Sequence, residues 1–173
     1  MLDTFVRVLL STGVNDYVAT HDWVWPVCEI IHFFGMFLLI GSVGLVDLRI
    51  LGVAKGIPIR SLERFVPLGV FGLLLNLITG LIFVGGNPVG GPQEYLTNLA
   101  FQIKMVLVLI AGINVIVFYL FGIARAADAT PAEGDAPFSA KVVAALSLLL
   151  WFSVIVFGRY IMYNDTLLYV LGM

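Results

Sequence analysis

Charge is scarce in this chain. Only 12% of its 173 residues are Asp, Glu, Lys or Arg, about half the share of a soluble domain. The net charge is −2, so the basic footprint of a nucleic-acid binder is missing. A single cysteine, Cys28, excludes an intrachain disulfide. Enzyme motifs are absent as well: there is no HExxH, no GxSxG, no Walker loop and no Rossmann fingerprint. The glycines of "GGNPVGGP" at 85–92 follow an apolar run and carry no lysine, which argues against a phosphate cradle. Glu29 and His32 form an ExxH pair, but the second copy that a di-iron bundle needs is missing. The first residues, "MLDTFVRVLL", do not read as a signal peptide: an acid interrupts the charged region and no small-residue cleavage site follows.

What the chain has instead is apolar length. Hydrophobic residues make up 61% of it, and a membrane span needs about 20 of them in a row. Four runs qualify, at about 23–46, 65–84, 99–124 and 142–163. The expectation is an all-α integral membrane four-helix bundle forming one domain over 1–173, with lipid as its first partner. Turn-rich pieces at 85–92 and 128–137 separate the spans. Residues 2–12 are apolar with one acid and one base, and read as a short N-terminal interfacial helix.

Orientation follows from Lys and Arg in the short loops. Arg49, Lys55, Arg60 and Arg64 follow the first span, and Arg125 and Lys141 follow the third. The loop between the second and third spans has neither residue. Basic loops stay in the cytoplasm, so the expected home is a bacterial inner membrane, multi-pass, with both termini periplasmic and Trp23 and Trp25 as an interfacial anchor.

Four ionisable residues then share one depth in the periplasmic leaflet. Glu29 and His32 lie about 9 and 13 Å beyond Trp23 along a helix. Lys104 sits near the start of the third span, and Arg159 near the end of the fourth. Ionisable groups inside a membrane face the bundle interior and pair with one another. The expected cluster is therefore Glu29, His32, Lys104 and Arg159, with Glu29 paired to Lys104 or Arg159. Tyr160, Tyr163 and Gln102 stand ready to complete its hydrogen bonds, and Asn76 and Asn114 lie deeper. Snorkelling of Lys104, Arg159 and Glu29 to the interface is the bland alternative. His32 is too short for it.

Three chemistries suit such a site. Haem b needs axial ligands from facing helices. His21 and His32 are about 16 Å apart along one helix, so haem requires His32 with Met105 or Met162, a five-coordinate iron, or a second protomer. Copper is the second option. Cys28, His32 and Met36 form an i, i+4, i+8 stripe of soft ligands, although a buried Cys and a Met are ordinary core fillers. The third option is an accessory subunit without a cofactor, in which the cluster is an interhelical lock within a larger membrane complex or a homo-oligomer. The stripe Gly69, Gly72, Asn76, Gly80 suits close helix approach, either inside the bundle or against a partner. Asp47 and Arg49 are two apart and face different ways, and read as a capped, charged helix boundary.

"WPVCEIIHFFGMFLLIGSVGLVDLRILG", "FQIKM" and "LLLWFSVIVFGRYI" together resemble a family of uncharacterised four-helix bacterial membrane proteins. That family is loosely similar to the copper-resistance D proteins and to b-type-cytochrome-like bundles. The resemblance covers residues 20–163 and implies four spans with emphasis on Glu29, His32, Asp47, Arg49, Lys104 and Arg159. Relatives often carry a histidine in the third span. Here that region reads "AGINVIVF", with Asn114 as its only polar side chain.

Overall fold

The computed structural model describes residues 2–53 and 55–172. It is 82% helical, and the described residues contain no strand. Two short helices, α1 (Leu2–Ser11) and α2 (Val14–Thr20), precede the first long one, α3 (Val24–Ile50). A single-turn helix, α4 (Ile59–Glu63), leads into α5 (Val66–Gly86). Then come α6 (Gly91–Thr97), α7 (Leu99–Leu120), α8 (Ile123–Asp128), α9 (Phe138–Tyr160) and α10 (Asn164–Leu171). The helices α3, α5, α7 and α9 carry four segments long and apolar enough to cross a membrane. Only 17–33% of the most apolar stretch of each is buried. Phe33, Phe37, Leu81, Leu120 and Phe152 all point outward. Apolar surface on that scale needs lipid around it. The chain is a multi-pass all-α membrane bundle.

Local chemistry sets the helix ends. The Asn98 side chain caps α7 by accepting from Phe101 N at 3.1 Å. Its Nδ2 donates to Ile161 O at 3.0 Å, and Leu99 N donates to Asn164 Oδ1 at 3.2 Å, which ties the start of α7 to the end of α9. At the other end α7 stops at Leu120, short of the expected 124. Gly122 takes a left-handed φ of 72° and turns the chain into α8. The "GGNPVGGP" piece is less irregular than a loop. Gly85 and Gly86 complete α5, and Pro92 sits in the first turn of α6.

The helices pack as two antiparallel pairs, α3 with α5 and α7 with α9, joined through α3 against α9. Glycine makes the first pairing close. A Cβ on Gly35 would stand 2.8 Å from Gly72 O, and a Cβ on Gly72 would stand 2.8 Å from Leu39 N. Gly69 and Gly72 therefore serve internal packing, whereas a Cβ on Gly80 would meet nothing within 4 Å. Toward the loops that follow α3 and α7, Val46, Ile50, Ile59, Leu62, Phe118 and Ala140 form one core. Leu39, Ala111, Leu150, Trp151 and Val154 form a second, in the middle of the bundle. At the end that carries both termini, Val18 of α2 covers Val24 and Cys28.

The Asp47–Arg49 boundary is not the solvated cap that its charges suggest. Arg49 is fully buried. Its Nε donates to Ile57 O at 2.6 Å and its Nη2 to the carbonyls of Pro131 and Ala132. One side chain thereby staples the α3–α4 connection to the α8–α9 connection. Asp47 is buried too, and its Oδ2 has no partner.

Candidate functional site

The four long helices leave a cavity of about 340 Å³ between them. Period sets its lining. Met36 and Ile40 follow His32 at i+4 and i+8 on α3, and Gly80 follows Asn76 at i+4 on α5. Lys104 and Met105 come from α7, and Trp151 from α9. The wall is mostly apolar, with a few polar groups at fixed places, as ligand pockets are.

His32 is the best-held of those groups. Its Nδ1 lies 2.7 Å from Thr79 Oγ1 on α5. The Thr79 hydroxyl has one proton, with Leu75 O at 2.7 Å and Asn76 O at 3.4 Å as its carbonyl acceptors. With that proton on a carbonyl, Thr79 Oγ1 accepts from His32 Nδ1–H and Nε2 keeps a lone pair; with it on Nδ1, Nε2 is the N–H donor. The ring also leans on Phe83 at 5.2 Å, which in turn packs on Trp25 at 5.0 Å. The Thr79 contact and the Phe83 ring together hold the imidazole.

Two further residues of the lining each carry a buried polar atom with unmet bonding. Asn76 Nδ2 donates to Gly72 O at 2.8 Å within α5, but its Oδ1 is buried without a partner. Trp151 is 7% exposed, and its Nε1 is also buried without a partner. Buried polar atoms almost always find one. Lys104 also lines the cavity, and its Nζ and the end of its stem lie beside Gly158 of α9.

The expected four-residue cluster does not assemble. Among the described residues the ion pairs are Lys55–Asp135 and Lys141–Asp135, and neither involves Glu29, Lys104 or Arg159. His32 and Lys104 share the cavity. Glu29 is exposed and accepts from Trp25 Nε1 at 3.1 Å, one turn back on its own helix. Arg159 is exposed and turns to Tyr163, donating to its hydroxyl at 3.3 Å with the guanidinium 5.3 Å from the ring centre. Both long side chains find an i±4 partner near the bundle end, which avoids burying charge. Gln102 likewise stays local, donating to Leu96 O at 2.9 Å. Outside the spans, burial pushes the Tyr95 hydroxyl up to about 12, with Glu29 and Glu94 nearby adding to it.

The soft-ligand stripe divides in the same way. His32 and Met36 line the cavity, but Cys28 is buried under α2 with Val18 and Val24. Of the methionines proposed opposite His32, Met105 lines the cavity, whereas Met162 is 71% exposed beyond the end of α9. His21 lies outside, stacked on Tyr17 at 4.3 Å. No group of three or more His, Cys, Asp or Glu side chains that could hold a metal ion occurs among the described residues. Asn114 does bond across helices, donating to Val143 O of α9 at 3.2 Å. Sequence reasoning passed over Thr79 and Trp151. Thr79 lies three residues after Asn76 on the same face, a signal available in the sequence; a lone Trp in an apolar run gives none.

No family model, curated protein or solved structure matches the chain.

Proposed function

We propose that this chain is a ligand-binding bundle of a bacterial inner membrane, and that the cavity at His32 takes up a small lipid-soluble molecule whose polar head both donates and accepts hydrogen bonds. The carrying observation is the set of unmet polar atoms on lining residues from all four long helices. Asn76 Oδ1 asks for a donor, Trp151 Nε1 and Lys104 ask for an acceptor, and His32 Nε2 takes either role with its tautomer. A hydroxyl-bearing ring of the quinol type satisfies both demands, and its apolar body suits the rest of the wall. The loop charges favour an orientation with the two basic loops in the cytoplasm, which puts the cavity in the periplasmic half.

A second reading has its own support. In its Nδ1–H tautomer, His32 has that N–H held by a neighbour and Nε2 bare, the arrangement of metal-bound histidines. Met36 and Met105 lie on the same cavity, so haem b on His32 and Met105, or copper on His32 with the two thioethers, uses groups already there. Likeness to copper-resistance D and b-type-cytochrome-like bundles points the same way. An accessory subunit without a ligand accounts for the His32–Thr79 bond as a lock, yet leaves the cavity and its unmet atoms without a use.

One preparation tests these readings together. Protein purified in mild detergent is analysed by absorbance before and after dithionite, by metal content, and by mass spectrometry of its organic extract, beside His32→Ala and Trp151→Phe. The expected result is one lipid-soluble molecule per chain, lost in His32→Ala and depleted in Trp151→Phe. A Soret band that shifts on reduction and disappears in His32→Ala establishes haem b instead, and stoichiometric copper establishes the metal site. A colourless, metal-free protein whose extract matches that of His32→Ala overturns the ligand reading and leaves the accessory subunit.

A further inference from the structure

The buried Asp47 carboxyl at the other end of the bundle, hydrogen-bonded by Ser147, is independent of the His32 cavity. Asp47 is 7% exposed, and its Oδ2 is buried without a hydrogen-bond partner. No Lys or Arg among the described residues forms an ion pair with it. Arg49, two residues on, faces another way and is held by the carbonyls of Ile57, Pro131 and Ala132. A carboxylate with no counter-charge in a membrane bundle is costly, so a cation or a proton must neutralise it.

Its surroundings say what. Asp47 borders a small cavity of about 70 Å³ together with Asn114, Ser147 and Tyr119. Asn114 is 7% exposed and Ser147 is 4% exposed. The Asn114 amide uses its Nδ2 on Val143 O, which leaves its Oδ1 as an acceptor. The polar residues bordering this cavity thus carry a carboxylate, an amide oxygen and two hydroxyls, all hard oxygen ligands. Glu63 and Asp128 lie near Tyr119 and add negative potential, and Arg60 lies near Glu63. The space is far too small for an organic ligand but has room for an ion with a little water. A single carboxylate balances a single positive charge, whereas calcium sites gather more oxygens and more carboxylates.

We infer that Asp47, Asn114 and Ser147 form a binding site for a monovalent alkali cation of sodium size. Tyr119 closes the site toward α8. Binding stabilises the bundle by joining α3, α7 and α9 at this end.

Sodium itself is the probe. The thermal unfolding midpoint of the detergent-solubilised full chain is followed by tryptophan fluorescence while sodium chloride replaces choline chloride at constant ionic strength. The midpoint is expected to rise by about 5–10 °C once sodium exceeds its dissociation constant about a hundredfold. Ser147→Ala shifts that dependence to about tenfold higher sodium, and Asp47→Asn abolishes it. Radioactive sodium binds the wild type at one ion per chain, which decides the matter even where Asp47→Asn fails to fold. A midpoint identical in sodium and choline, with no sodium retained, overturns the site and assigns the Asp47 carboxyl a proton instead.

Discussion

Arg49 and His32 are both polar residues of α3 withdrawn from solvent, and they are treated in opposite ways. Around Arg49 the bundle closes: Nε and Nη2 meet the carbonyls of Ile57, Pro131 and Ala132, and only Nη1 is left over. Around His32 the bundle opens: one ring nitrogen is held by Thr79, and the rest of the lining includes polar atoms with nothing to bond. Burial is therefore a poor guide to function here. Unmet bonding beside empty space is the better one, because a group already satisfied by its own chain has no capacity left for a ligand.

The comparison breaks if Arg49 proves dispensable. Arg49→Met keeps the apolar stem but leaves three carbonyls without their donor. The expected loss is about 3 kcal/mol, read as a large fall in unfolding midpoint. The two loops it joins should become sensitive to protease, while the His32 cavity keeps whatever it holds. A midpoint within a degree of the wild type would sink the staple.

Thr79→Val probes the other side with a smaller effect on stability. It removes the hydroxyl that bonds His32 Nδ1, at nearly constant volume. An interhelical hydrogen bond in a membrane contributes about 1 kcal/mol, so unfolding shifts only slightly. Ligand retention should fall about tenfold or more, since outer partners of a binding histidine have effects of that size. If stability collapses while retention is unchanged, the His32–Thr79 bond is a lock and nothing else.

Much of the fold was legible because its physics is one-dimensional. Apolar length and turn residues locate α3, α5, α7 and α9 to within a few residues, and Gly122 explains the early stop of α7. Depth was legible too, since position along a helix is a matter of counting. Azimuth was not. Glu29, His32, Lys104 and Arg159 do lie near one end of the bundle, but Trp25 and Tyr163 take the first and last of them locally. An i±4 partner on the same helix competes with any partner across the bundle, and a single sequence does not say which wins. The same ambiguity hid Cys28 under α2, although it shares a stripe with His32 and Met36. Arg49 was illegible for another reason: its partners are backbone carbonyls from two loops, and carbonyls leave no mark in a sequence.

Asp135 supplies a third treatment of charge and the smallest expected effect. It lies exposed in the loop beside the Arg49 staple, with Lys141 at 2.9 Å and Lys55 at 3.0 Å. Hydrogen bonds from Lys141 and Lys55 hold its carboxyl down to about 2, against about 3.9 for an unfolded Asp. A carboxyl depressed in the folded state contributes stability above its unfolded value and loses it as pH falls toward the folded one. The gap in unfolding midpoint between wild type and Asp135→Asn should therefore be full above about pH 4 and close as pH approaches 2. It should be slight throughout, because exposed pairs contribute little, and about 1 M salt should erase most of it. A gap that ignores both pH and salt would mean that Asp135 shapes the loop through packing rather than charge. Solvated pairing would then join burial as a poor guide to what a charged residue does in this bundle.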